Sequence, residues 1–389
     1  MSRYYSYLNT AQEILRRYKS EEPFASFLKK FFSLNKKYGS KDRKQISHLC
    51  YCYFRIGKLN TSLPDEERIL TGLFLCSDNS NEILEQLKPE WNEKVTTPVA
   101  EKLSLLHLDT IQDIFPFADE LSDGIEKESF ILSHIIQPDL FIRLRPGKED
   151  IVKQKLKEAG IDFTIVSDTC IALPNASKID SIIELNKEAV VQDLSSQRIA
   201  EFIPFPSSNN RSKISAWDCC AASGGKSILL HDLYPGIELT VSDVRESILI
   251  NLKKRFSEAG IYKYKSTVAD LTISGFRLPA SDFGLIIADV PCSGSGTWGR
   301  TPEQLFYFKK EKINEYASLQ QKIVSNVIPH VKAGGYFLYI TCSVFKKENE
   351  EAVEFIKQNF GFSLLKMEML KGYDKKADTM FAALLQRPL

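Results

Sequence analysis

The sequence predicts a doubly wound α/β sheet, mostly parallel with a late antiparallel hairpin, preceded by a helical segment and a small α+β module. Three observations predict it. From Val190 onward, short apolar runs alternate with stretches at helical spacing, the pattern of successive βαβ units. Residues 1–130 place apolar side chains three and four apart, as amphipathic helices do. Between these two regions, residues 131–190 mix strand-like runs with short helical stretches.

In the first region, Tyr7, Ala11, Ile14 and Leu15 share one helical face, and Phe24, Phe27, Leu28, Phe31 and Phe32 repeat the pattern. Ser40 is expected to cap a third helix through Ile46, Leu49, Cys50, Tyr53 and Phe54, with Gly57 as its stop. Further helices are expected over 64–76, 80–87 and 97–106. The aromatic stripes read as core. In the second region, Leu140–Arg145 reads as a strand, Lys148–Ala159 as a helix ended by Gly160, Phe163–Val166 and Cys170–Leu173 as strands, and Ser177–Leu185 as a second helix. In the third, helix Ser195–Phe202 precedes strand Ile214–Cys219. Strand Ile237–Val241, helix Arg245–Ala259, strand Ser266–Ala269 and strand 283–288 follow. Helix 310–329, strand 335–341, helix 347–358 and a closing hairpin of Phe362–Met369 with Met380–Leu385 complete the order.

At 389 residues, with 43% hydrophobic and 26% charged side chains, the composition is that of an ordinary globular protein. No apolar run approaches the ~20 residues needed to cross a bilayer, and the N-terminus has no signal-peptide apolar core. The eight cysteines form no Cys-x-x-Cys pair and the five histidines do not cluster near them, so no metal site and no disulfide framework is expected. The expected setting is the cytoplasm. Cys50, Cys52, Cys76, Cys170, Cys219 and Cys220 read as small buried hydrophobes. The net charge of +1 hides an asymmetry. Residues 1–60 hold 13 Lys/Arg against 4 Asp/Glu, and residues 61–130 hold 5 against 16. A basic first segment with interleaved aromatics is compatible with a nucleic-acid footprint, but on charge alone it reads more readily as a solvated helical face or a face packed against the acidic segment that follows.

Chemistry concentrates at strand ends. In an open α/β sheet, ligands bind outside the carboxyl ends of the strands. The glycine-rich turn Cys220-Ala221-Ala222-Ser223-Gly224-Gly225-Lys226-Ser227 follows the first strand of the third region. It is no P-loop, because position 220 is cysteine, and no G-x-G-x-x-G, because its glycines are adjacent. A third option is S-adenosylmethionine: glycines let the backbone approach the methionine portion. Asp243 ends the second strand, where it can accept the ribose hydroxyls, with Arg245 just beyond. Asp270 ends the third, where it can accept the adenine amine. Two thiols, Cys292 and Cys342, also follow strands, in Asp289-Val290-Pro291-Cys292-Ser293-Gly294-Ser295-Gly296 and Thr341-Cys342-Ser343.

On these residues the chain resembles the Nop/Sun family of RNA cytosine-C5 methyltransferases, close to its bacterial 16S ribosomal-RNA members. The family's D-x-C-A-A-P-G-G-K-T is met by Asp218 to Ser227, with Ser223 for the proline and Ser227 for the threonine. D-x-P-C-S-G-x-G is met by Asp289 to Gly296. T-C-S…E-N-E is met by Thr341-Cys342-Ser343 and Glu348-Asn349-Glu350. Val191-Gln192-Asp193 with Ser196-Gln197 resembles the entry to the family's catalytic domain, and Asp378 to Ala383 its closing segment without the glycine. Arg300 supplies one of the two arginines that usually follow the fourth motif. The resemblance covers 131–389, and 42–55 resembles more weakly a NusB-like RNA-binding domain.

The resemblance implies a Rossmann-like S-adenosylmethionine-dependent methyltransferase domain over 191–389, a small α+β domain over 131–190 and a NusB-like helical domain over 1–130. It implies a cofactor site at Cys220, Ala221, Ala222, Ser223, Gly224, Gly225, Lys226, Asp243, Arg245, Asp270 and Asp289. C5 of cytosine is a poor nucleophile until a thiolate adds at C6. The resemblance makes Cys342 that nucleophile, Cys292 the residue that resolves the adduct, and Asp289 the contact to the cytosine amine and N3. Lys226 is implied at the base or the cofactor carboxylate. The implied partner is RNA, ribosomal before transfer RNA, with an unstacked target base and a monomeric enzyme. A DNA-type cytosine methyltransferase, lacking the second thiol, and a non-catalytic RNA-binding assembly factor are the alternatives.

Overall fold

The computed structural model describes residues 3–108, 110–204, 214–276, 278 and 282–389. They sort into two compact units, each interrupted in sequence. One holds residues 1–119, 126–137 and 297–309; the other holds 120–125, 138–296 and 310–389. The segments expected as 1–130, 131–190 and 191–389 are thus redistributed: the small module shares a unit with the large sheet, and two short stretches cross over.

The first unit is helical, with helices Arg3–Arg17, Phe24–Leu34, Ser40–Arg55, Asp65–Cys76, Glu82–Leu87, Pro89–Asn92, Val99–Leu105, Lys127–Ser133 and Pro302–Tyr307. Tyr7, Ala11, Ile14 and Leu15 are buried, as their spacing predicts. Gly39, not Ser40, precedes the third helix, and the Asp42 carboxylate accepts its N–H at 2.9 Å. Gly57, at φ +54°, stops that helix where any side chain would strike the Ile114 carbonyl. The aromatic stripes are core: Tyr18, Phe24 and Phe54 meet edge to face, with centroids 4.8–6.0 Å apart. The late segment completes this core. Tyr307 donates to the Tyr18 carbonyl at 2.9 Å, and Trp298 stacks among Phe115, Phe117 and Phe308.

The second unit carries two sheets. The smaller is antiparallel, in the order β2-β3-β1-β4, with β1 Leu140–Leu144, β2 Thr164–Ser167, β3 Cys170–Leu173 and β4 Ala189–Val191. Helix Glu149–Glu158 forms as expected, but Ser177–Leu185 does not. Its Ile179 and Ile183 are buried by consecutive turns, because one pair of apolar turns after Pro174 is too short to propagate a helix. Arg143 and Arg145 reach across to Asp232 on helix Gly225–Leu233, at 2.7 and 2.6 Å. That largely buried triad docks the small sheet onto the large one.

The large sheet has the order β10-β11-β9-β8-β5-β6-β7. Its strands are β5 Ser215–Asp218, β6 Glu238–Asp243, β7 Tyr264–Val268, β8 Phe283–Asp289, β9 Val331–Thr341, β10 Ser363–Leu370 and β11 Met380–Gln386. Strands β5 to β9 run parallel, and β11 pairs antiparallel with both β9 and β10. Helices Glu246–Glu258, Glu311–Val327 and Glu350–Phe360 complete the crossovers. The expected helix over 195–202 is a short α-helix, Leu194–Gln197, running into a 3₁₀ turn, Arg198–Phe202. This is the doubly wound architecture that the alternation predicts. From β5 the chain moves out to β6 and β7, then returns to β8 on the other side. The switch point therefore lies between β5 and β8, where a cleft is expected beyond the strand ends. Among the described residues, no helix is long and apolar enough to cross a membrane.

Candidate active site

The turn after β5 lines a cleft of about 280 Å³ at that switch point. Of the residues expected at the cofactor, Cys220, Ala221, Ala222, Ser223, Gly225, Lys226 and Asp289 line it and Gly224 does not; Val191, Gln192, Asp193, Ser196, Asp218 and Arg255 also line it. Gly224 sits at φ +83°, and a Cβ there would approach Phe256 to 2.6 Å, so glycine is required by both conformation and space. Ala222 is left-handed too, at φ +45°, an uncommon strain for a residue with a side chain. Its N–H donates to the Asp243 carboxylate at 3.1 Å. Where the family has proline, the Ser223 carbonyl and hydroxyl both accept from one Arg255 nitrogen, at 2.9 and 2.8 Å. A guanidinium brace stands in for the stiffness of the ring.

Asp243, Arg245 and Asp270 do not line this cleft. Asp243 is nonetheless bonded to the turn that does. Its carboxylate is also gripped by Arg245, through the backbone N–H at 2.9 Å and the guanidinium at 3.0 and 3.2 Å. Arg245 is more than half exposed, so that grip opens at little cost. Asp270 accepts from the N–H and hydroxyl of Thr272, which hold its carboxyl below the usual range.

Asp218 is buried at the floor. One oxygen accepts from Ser227 at 2.6 Å, and the other has no partner among the described residues. Burial pushes its carboxyl up to about 7. Lys226, largely buried, meets Asp289 at 2.5 Å. Burial pulls its ammonium down, but the Asp289 carboxylate more than offsets this and raises it.

Asp289 ends β8 and pairs with Ile340 on β9, so the two cysteine turns leave adjacent strands side by side. Cys292 and Cys342 are half-buried with their sulfurs 3.3 Å apart. The thiol contact first, then burial, pushes Cys292 well above the usual thiol range. Either thiol can donate in this contact. The Lys226 ammonium, which meets Asp289, lies within electrostatic reach of Cys342.

Residues beyond the expected set hold the turns in place. Gly296 donates to the Cys342 carbonyl at 2.9 Å. Ser293 reaches the Ser343 hydroxyl at 3.1 Å, and Ser295 receives the Val344 N–H at 2.9 Å. Glu348, fully buried, accepts from both turns, while Asn349 and Glu350 hold Ser122. The E-N-E triplet marked this region in sequence, but only the 3₁₀ turn Lys346–Glu348 turns Glu348 inward.

Residues 207–384 match the family model described as 16S rRNA methyltransferase RsmB/F. Among curated relatives, probable ribosomal RNA small subunit methyltransferase B of Synechocystis is 27% identical over 286 residues, which is 72% of this chain and 60% of that protein. Ribosomal RNA small subunit methyltransferase B of Xylella fastidiosa is 28% identical over 223 residues, 55% of this chain and 49% of that one. The chain thus spans about half to three-fifths of the length of these relatives. Of solved structures, PH0851 superposes with a TM-score of 0.72 at 20% identity, covering 100% of this chain and 99% of that one. NSun6 from Pyrococcus horikoshii with SFG superposes with a TM-score of 0.58 at 13% identity, covering 70% and 97%. At these identities the likeness is one of fold. The RsmB/F match covers the cleft turn, both cysteines and Asp289, and leaves the helical unit up to residue 137 outside it.

Proposed function

We propose that this chain is an S-adenosylmethionine-dependent RNA methyltransferase that forms 5-methylcytosine, with 16S ribosomal RNA as its substrate. The observation that carries this reading is the pair of thiols, 3.3 Å apart at the ends of adjacent strands and beside Asp289. A single catalytic thiol would need no such neighbour.

The cleft suits the cofactor. It lies at the switch point, its floor holds a buried carboxyl oxygen at Asp218 without a partner among the described residues, and a Cβ at Gly225 would meet nothing within 4 Å. The backbone of 220–225 and Asp243, once Arg245 swings away, would hold it. When bound, S-adenosylmethionine supplies the electrophilic methyl carbon. The protein's own groups do the rest. Asp289 and its partner Lys226 hold the polar edge of the cytosine. Cys342, as thiolate, adds to C6, and the electron pair of the C5–C6 double bond becomes available at C5. After transfer a base takes the C5 proton, the C5–C6 double bond reforms, and Cys342 leaves as thiolate. Cys292 assists this release. The target base must be out of its stack to reach these groups.

The test is methyl transfer from tritiated S-adenosylmethionine to 16S rRNA, followed by digestion to nucleosides. Label in 5-methylcytidine is expected. Label in another nucleoside, or none in any RNA offered, contradicts the reading.

A further inference from the structure

Glu348 is 0% exposed and takes part in bonds from both cysteine turns. One oxygen accepts the N–H of Ser293, the residue after Cys292, at 2.8 Å. The other accepts the hydroxyl of Ser343, the residue after Cys342, also at 2.8 Å. A third bond comes from the Gln320 amide at 3.2 Å, which donates as well to the Pro291 carbonyl just before Cys292, at 3.1 Å. Tyr339 completes the cage, donating to the Glu348 carbonyl at 2.7 Å and lying 3.1 Å from the Gln320 oxygen. Burial pushes the Glu348 carboxyl above the usual carboxylate range, while the bonds from Ser293, Ser343 and Gln320 favour its ionised form. A buried acid so surrounded is a deliberate fixture.

We propose that Glu348 is the positioning residue of the two thiols: it fixes the spacing of the two cysteine turns, and its negative charge lies on the Cys292 side of the pair, where it disfavours a second negative charge. The proposal rests on the reading of Cys342 as nucleophile. It explains why two chemically identical side chains 3.3 Å apart take different roles. Cys292 faces Cys342, Glu348 and the hydroxyls of Tyr316 and Tyr339, none of which stabilises a second negative charge. Cys342 lies within electrostatic reach of the Lys226 ammonium instead. Each thiol therefore has its own electrostatic neighbour, and Glu348 is the charge on the Cys292 side.

The experiment is the pH profile of iodoacetamide alkylation at Cys292 and Cys342, read by peptide mass spectrometry on the whole protein. Glu348→Gln keeps the shape and removes the charge. It should lower the pH at which Cys292 becomes reactive by about one unit. It should also cut kcat about ten-fold, with KM for S-adenosylmethionine unchanged. Ser343→Ala keeps the charge but releases one turn, so kcat should fall without the downward shift at Cys292. A folded Glu348→Gln protein, judged by its thermal melt, with the wild-type Cys292 profile overturns the proposal. So does a Ser343→Ala protein with wild-type kcat, which serves if Glu348→Gln does not fold. Alkylation needs no RNA. A protein that methylates nothing therefore defeats the proposed function, while the profiles still decide the role of Glu348.

Discussion

Asp218 couples the cleft floor to pH. Its ordinary value is 3.8 and burial raises it to about 7, so between these values the folded state holds a proton that the unfolded state has lost. The stability this contributes is complete below about pH 4 and is lost as pH rises through about 7. Asp218→Asn, which cannot ionise, should therefore raise the melting temperature at pH 8 and leave it nearly unchanged below about pH 4. Equal effects at both pH values would mean that Asp218 is not buried in this way. Cys292, Cys342, Asp289 and Lys226 were legible in the sequence, because each follows an apolar strand within a specific motif. The Arg255 brace under Ser223 was not, since it joins residues 32 apart through a side chain that reads as a solvated helix face. The grip of Arg245 on Asp243 was equally hidden, because a sequence gives the position of an acid and not its partners.

At the scale of elements, the two cysteine turns are joined through glycine. Gly296 binds the Cys342 carbonyl and its own carbonyl accepts from Thr379 at 2.9 Å, while a Cβ would lie 1.9 Å from the Thr379 oxygen. Gly296→Ala must push the Cys292 turn away from β11, so it should lower the melting temperature and reduce kcat more than ten-fold, since misplacement by an ångström costs on that order. Wild-type turnover in this variant would show that the spacing of the turns is not critical. The strands of the large sheet were readable because apolar runs bounded by glycine and acid mark parallel, doubly covered strands. Ser177–Leu185 shows the limit of periodicity. Its spacing is helical, but short turns bury the same isoleucines without a helix.

At the scale of the molecule, the chain exchanges segments that no local pattern reveals. Residues 120–125 belong with the large sheet, where Leu121 bridges Phe345 and Ser122 binds Asn349 and Glu350. Residues 297–309 belong with the helices, where Trp298 is 1% exposed and Leu305 1%. Deleting residues 1–119 should therefore strip the cover from Trp298 and Leu305 and yield an aggregating protein rather than a free catalytic domain. A soluble, cofactor-binding product of that deletion would contradict the division into units. The basic first segment, proposed to meet RNA, carries exposed Lys29, Lys36, Lys37 and Lys44. Changing these four to Ala should weaken RNA binding and flatten its dependence on salt, by about 0.7–0.9 in logarithmic slope per lost phosphate contact. An unchanged slope would make this face merely solvated. The assignment of the two thiols is tested most directly by incubating Cys292→Ala with 16S rRNA and S-adenosylmethionine and resolving the mixture on a denaturing gel. The account predicts a covalent protein–RNA complex linked through Cys342, and none from Cys342→Ala. A complex that forms instead from Cys342→Ala, linked through Cys292, would contradict it.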